Sequence, residues 1–173
     1  LLLAVAVTAW AMGRNLICDC GTIRLFVGDN SSPQVSQQIA DWYTPSHIIH
    51  GFLFFALLAW LLPRVPLDWR FAIAMLIDGA WEVLENSPLI INRYRTETNA
   101  TDYAGDTVLN VVADIGAMAL GFWLARRLPV WLSVAVVVGF ELLTLWLIRD
   151  GLALNVLMLL WPLEAVLEWQ HGA

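Results

Sequence analysis

Six acidic side chains, Asp78, Glu82, Glu85, Asp114, Glu141 and Glu164, lie inside or at the ends of apolar stretches long enough to cross a bilayer. A carboxylate at membrane depth costs several kcal/mol unless it is paired, protonated or hydrated, so such groups are kept mainly where they act. The composition agrees: 60% of the 173 residues are hydrophobic, ten are Trp and only 14% are charged. One integral membrane domain over residues 1–173 is the economical reading. All nine basic residues are Arg, and the net charge of −6 argues against nucleic acid and against a polybasic lipid clamp.

With about 1.5 Å per residue and a hydrocarbon core of about 30 Å, spans are expected near 1–13, 46–63, 68–88, 106–127, 129–148 and 152–169. The fold class is therefore all-α, a polytopic membrane bundle of about five to six transmembrane helices. The first stretch opens on Leu1 to Val5 without Met, and it reads as a helix cut at the front rather than a targeting remnant, because no small-residue cleavage site follows. Pro63, Pro66, Pro88, Pro129 and Gly151 mark segment ends, while Pro162 falls inside the sixth span and predicts a kink or re-entry there.

Residues 14–45 form a long polar loop, expected to fold over one membrane face as an extracytoplasmic cap. Ile23, Leu25, Phe26 and Val27 offer it a strand-like apolar patch. Counting Arg alone gives four against five and does not orient the chain; Arg density in the two shortest loops assigns those loops, with Arg64, Arg70, Arg126 and Arg127, to the cytoplasm. Cys18 and Cys20 would then face the oxidising side. A lone Cys-x-Cys is half a metal site, a local disulfide or two free thiols.

The same topology gathers separated motifs at one membrane face. His47 and His50 are three apart at the start of span two; Asp78, Glu82 and Glu85 form a stripe at the end of span three; Asp106, Asn110 and Asp114 form another at the start of span four. Between spans three and four lie Arg93 and Arg95. Taken singly, the histidines are equally interfacial anchors or ligands, the arginines more often pair with surface acids, and Asp106 with Thr107 reads as a helix cap. Taken together they suggest a site. His47, His50, Glu82 and Glu85 are the candidate ligands of a divalent metal, a mixed nitrogen and oxygen set suited to zinc, manganese or iron. Asp106 and Asp114 are candidate general bases, and Arg93, Arg95 and Asn110 candidate ligand-binding groups that would hold a phosphate.

The stretches Asp41 to Phe52, Ala80 to Asn86 and Asn155 to Ala165, with Ile17 to Gly21 and Ile90 to Arg95, closely resemble a family of uncharacterised alphaproteobacterial inner-membrane proteins carried as a domain of unknown function. The resemblance covers nearly the whole chain and implies a bacterial inner-membrane, multi-pass protein; it implies no activity. Where that family often has a basic residue between the cysteines, this chain has Asp19. A looser resemblance, in Asp106-x-x-x-Asn110 followed by Gly116 and Gly121, is to VanZ-like membrane proteins, which implies a tie to the cell envelope. Two functions compete: binding of, or action on, a phosphate-bearing envelope lipid, or a non-enzymatic membrane subunit that docks a membrane-protein partner. A less favoured third is ion movement through Asp78, Asp114 and Glu141.

Overall fold

A computed structural model describes residues 1–172, and among them the chain is all-α, with eight helices and no strand. They are α1 (Leu2–Ala11), α2 (Thr44–Leu61), α3 (Leu67–Glu85), α4 (Pro88–Glu97), α5 (Val108–Arg127), α6 (Val130–Ile148), α7 (Leu152–Leu160) and α8 (Glu164–His171). Three of these, α2, α5 and α6, are long and apolar enough to cross a membrane. Helix α3 has 19 residues, a comparable length, but its polar stripe lowers its apolarity.

The most extensive helix contact joins α2 to α5, which run parallel. Gly51 and Gly121 make it possible. A Cβ on Gly51 would strike the backbone of Met118 and Phe122, and one on Gly121 would strike the backbone at Ile48. Small residues at a helix crossing let backbones approach in this way, and dispersion then replaces the hydrophobic drive that lipid does not supply. Below the crossing, Leu58, Ala74, Met118 and Phe122 close an apolar cluster among α2, α3 and α5. Val5 and Ala9 of α1 pack on Val111 and Ile115 of α5. Helix α6 packs outside these, buries only Thr144, and leaves Val130, Trp131, Val134, Val138, Leu142 and Trp146 exposed.

The loop over residues 12–43 contains only turns, and it docks on the start of α5. The first N–H groups of a helix have no partner within it. Here the cap supplies them: the N–H groups of Thr107, Val108 and Leu109 donate to the carbonyls of Ser36, Asn15 and Leu16. The Asn110 amide donates to the Gln38 carbonyl at 3.0 Å, and the Thr107 hydroxyl accepts from the Asn110 N–H as the N-cap. The strand expected over residues 23–27 does not form. Val27 and Ile39 donate to Ala40 and Arg24 in a short pairing, Val27 turns inward, and Ile23, Leu25 and Phe26 remain exposed. Cys18 and Cys20 are joined as a disulfide across one residue.

The structure corrects one sequence expectation and sharpens another. The loop holding Arg93 and Arg95 is a helix, α4, started by Ser87, whose hydroxyl accepts from Ile90, and by Pro88 in the first turn. The sixth span is not continuous. Helix α7 has nine residues, about 14 Å at 1.5 Å per residue, and stops before Pro162. Helix α8 then returns, so that Arg149 donates to the Trp169 carbonyl and Gln170 donates to the Arg149 carbonyl. The end of α8 therefore lies beside the turn that precedes α7.

Candidate functional site

Because α2 and α3 are antiparallel, a step of one turn down α2 matches a step of one turn back along α3. His47 therefore faces Glu82, with Nδ1 3.4 Å from Oε1, and His50 faces Asp78, with Nδ1 3.3 Å from Oδ1. Asp114 of α5 completes the group, its Oδ2 3.8 Å from His47 Nε2. Asp78 is fully buried and Glu82 is 1% exposed. None of these approaches has hydrogen-bond geometry. His47 Nδ1, His50 Nδ1, both oxygens of Asp78, Glu82 Oε1 and Asp114 Oδ1 are all buried without a hydrogen-bond partner. Native interiors satisfy the great majority of buried polar atoms, so orphans converging on one point mark this cluster as the candidate site.

A second group stands one turn nearer the cap. Tyr94 donates to Glu85 at 2.8 Å, Tyr103 donates to Asp106 Oδ1 at 2.9 Å, and Asn86 donates to Asp106 Oδ2 at 2.6 Å. The Asp106 N–H donates back to Asn86 Oδ1 at 2.8 Å. This reciprocal pair depends on Gly105, whose φ of +90° is one that L side chains rarely adopt and whose missing Cβ would meet Asn86.

Both groups border a cavity of about 270 Å³. His47, His50, Glu85, Asp106 and Asp114 line its polar end, and Phe54, Ile77, Val156 and Leu159 its apolar end. Ile77 and Val156 are also 41% and 47% exposed, so the apolar end reaches the outer surface between α3 and α7. On the cap side a more polar cavity of about 740 Å³ lies between the first loop and residues 99–104, and it shares Ser36, Tyr43, Ala100 and Tyr103 with the inner one. The site thus opens on an apolar side and on a more polar, cap-covered side.

At the cap side, Asp41 is buried and accepts from the Ser36 and Tyr43 N–H groups at 2.7 and 2.8 Å. Burial pushes its carboxyl above the ordinary aspartate value, and those donors hold the rise back. Asp150, in the turn after α6, meets the Tyr43 hydroxyl at 3.2 Å; burial raises its pKa to about 6. Glu141 accepts from Leu152 and Ala153 and so caps the start of α7.

Of the residues singled out from sequence, His47, His50, Glu82, Glu85, Asp106 and Asp114 come together. Arg93 and Arg95 do not join them: their Nε groups donate to the carbonyls of Leu159 and Tyr103 at 2.9 and 2.5 Å, and neither lines the cavity. Asn110 holds the cap instead of facing the cavity. Asp78 joins the histidines and carboxylates through His50, and its spacing of four from Glu82 on α3 is the sequence signal for it. Tyr94 and Tyr103 carried no signal, since only the folding of α4 and the following loop aims them at Glu85 and Asp106.

Membrane-length apolar helices around a buried His and carboxylate basin, closed at one end by a docked loop, define an all-α helical protein with a polar site in its interior. The chain belongs to the family described as protein of unknown function (DUF2585), which matches residues 9–172. It is similar to UPF0314 proteins of Paracoccus denitrificans, at 60% identity over 98% of this chain and 89% of the relative, and of Agrobacterium fabrum, at 55% over 99% and 87%. A UPF0314 protein of Novosphingobium aromaticivorans is 54% identical over 98% of this chain and 88% of its own length. No solved structure matches the chain.

Proposed function

We propose that this is a multi-pass bacterial inner-membrane protein that binds a divalent metal in its His and carboxylate basin and, through it, binds or acts on a phosphate-bearing envelope lipid. In this reading α2, α3, α5 and α6 cross the bilayer, the shorter α1 lies within it beside α5, α7 and α8 re-enter it, and the cap faces the extracytoplasmic side. The observation that carries it is the convergence of the unpartnered atoms of His47, His50, Asp78, Glu82 and Asp114. A cation satisfies imidazole and carboxylate lone pairs at once, and mixed nitrogen and oxygen donors suit zinc, manganese or iron.

A lipid is supported by the two-sided access. Its acyl chain would enter past Ile77 and Val156, and its head group would reach the metal from the side of the polar cavity. Positive charge for the phosphate comes from the metal, because Arg93 and Arg95 point elsewhere. Asp114 is the better placed base: one of its oxygens is unpartnered, whereas both oxygens of Asp106 accept hydrogen bonds.

The test is metal and lipid analysis of the purified full chain beside the Glu82→Gln variant, which keeps size and hydrogen bonding. Bound metal and a phosphate-bearing lipid are expected in the parent and loss of metal in the variant, with helicity unchanged. Absence of metal from both, with no envelope phenotype for Glu82→Gln, would end this reading and leave a membrane subunit that docks a partner protein.

A further inference from the structure

The basin is larger than one cation needs. Five carboxylates, Asp78, Glu82, Glu85, Asp106 and Asp114, stand within it or along its edge, and no Arg lines the cavity to offset them. One divalent ion would compensate two ionised carboxylates, and two ions would compensate four. The donors also fall into two sets. His47, His50 and Asp78 can each offer one atom, all within 4.8 Å of one another, and Glu82, Glu85 and Asp106 can do the same. Glu82 links the sets, since its Oε1 is also 3.4 Å from His47 and is buried without a hydrogen-bond partner.

We propose that the site holds two divalent cations, one on His47, His50 and Asp78 and one on Glu82, Glu85 and Asp106, with Glu82 as the shared carboxylate; this rests on the metal reading above. The two seats differ in chemistry. The first mixes imidazole with carboxylate, and the second is oxygen only, which suits manganese or magnesium. The second is also the better oriented, because Tyr94, Tyr103 and Asn86 donate to its carboxylates and fix their directions while leaving lone pairs for a cation. A pair of cations about 3.5–4 Å apart is the usual arrangement for holding the oxygens of a phosphoryl group, so the proposal also specifies which part of the lipid sits here.

The experiment is titration of the metal-stripped full chain in detergent with Mn²⁺ alone, read by bound metal per chain and by electron paramagnetic resonance. Two Mn²⁺ per chain with an exchange-coupled spectrum are expected. Glu85→Gln should retain one Mn²⁺ with an uncoupled spectrum, and Asp106→Asn should do the same if Glu85→Gln does not fold. One uncoupled Mn²⁺ per parent chain would overturn the second seat and leave the metal reading standing; no Mn²⁺ would overturn both. Two uncoupled ions would overturn the shared role of Glu82.

Discussion

His47 Nδ1 and Glu82 Oε1 face each other at 3.4 Å, both buried and neither hydrogen-bonded. In the absence of a cation this pair and its neighbours are unsatisfied polar atoms in a low-dielectric interior, each a cost of about 1–3 kcal/mol or more for charged groups. Removal of metal should therefore destabilise the protein. Chelator should lower the thermal midpoint of the parent in detergent, and readdition of metal should restore it, by up to about 2.7 kcal/mol at a hundredfold excess over Kd. Glu82→Gln should melt at the same temperature with and without chelator.

The crossing of α2 and α5 has no room for a methyl group at either glycine. Gly51→Ala and Gly121→Ala should each cost about 1–3 kcal/mol through overpacking, and more if the helices separate. Gly116 provides the control. Nothing lies within 4 Å of its missing Cβ, so Gly116→Ala should be neutral or stabilising by up to about 1 kcal/mol. Thermal melts of the three variants decide the point.

Asp150 gives the fold a pH dependence outside the spans. Its carboxyl rises from the ordinary 3.8 to about 6 in the folded state because burial disfavours the anion. The folded protein thus holds this proton more tightly than the unfolded chain does. Its contribution is fully present below about pH 4, falls as pH rises towards 6, and is constant above that, a difference of roughly 3 kcal/mol at most. The other groups around it are Tyr43, Glu141 and Asn155. Asp150→Asn should remove this slope from stability measured across pH 4–7, and leave the parent less stable than the variant at pH 7.

The cap depends on its seat on α5. Asn110→Ala would leave the Gln38 carbonyl without its buried donor, at a cost of about 1 kcal/mol. Amide exchange should quicken over residues 36–38 and at the N–H groups of Thr107 to Leu109, which the cap covers. Unchanged exchange there would mean that the cap is held by other contacts.

Much of the site could be read in the sequence. Helical spacing alone places His47 with His50 and Asp78 with Glu82, and short connections make α2 and α3 antiparallel, so their pairing needs little more. Asp114 followed from the same periodicity on α5, whereas Asp106 lies just before the Thr107 N-cap and is held by Asn86 and Tyr103 instead. The arginines did not, because a guanidinium on a helix one turn long or longer can reach several acceptors, and the choice of Leu159 and Tyr103 depends on where α7 and residues 98–107 lie.

The sequence by itself determined that the chain is helical and apolar and that acids recur on inner faces, because periodicity and the cost of burying charge are local properties. Pro162 likewise marked the break between α7 and α8 in advance. Only the tertiary structure decided that Arg93 and Arg95 leave the basin and that Asn110 holds the cap. It also decided that Tyr94 and Tyr103 orient the second carboxylate group. Each of these is a choice among partners far apart in the chain, and hydrogen-bond directions between distant segments exist only once the helices have packed.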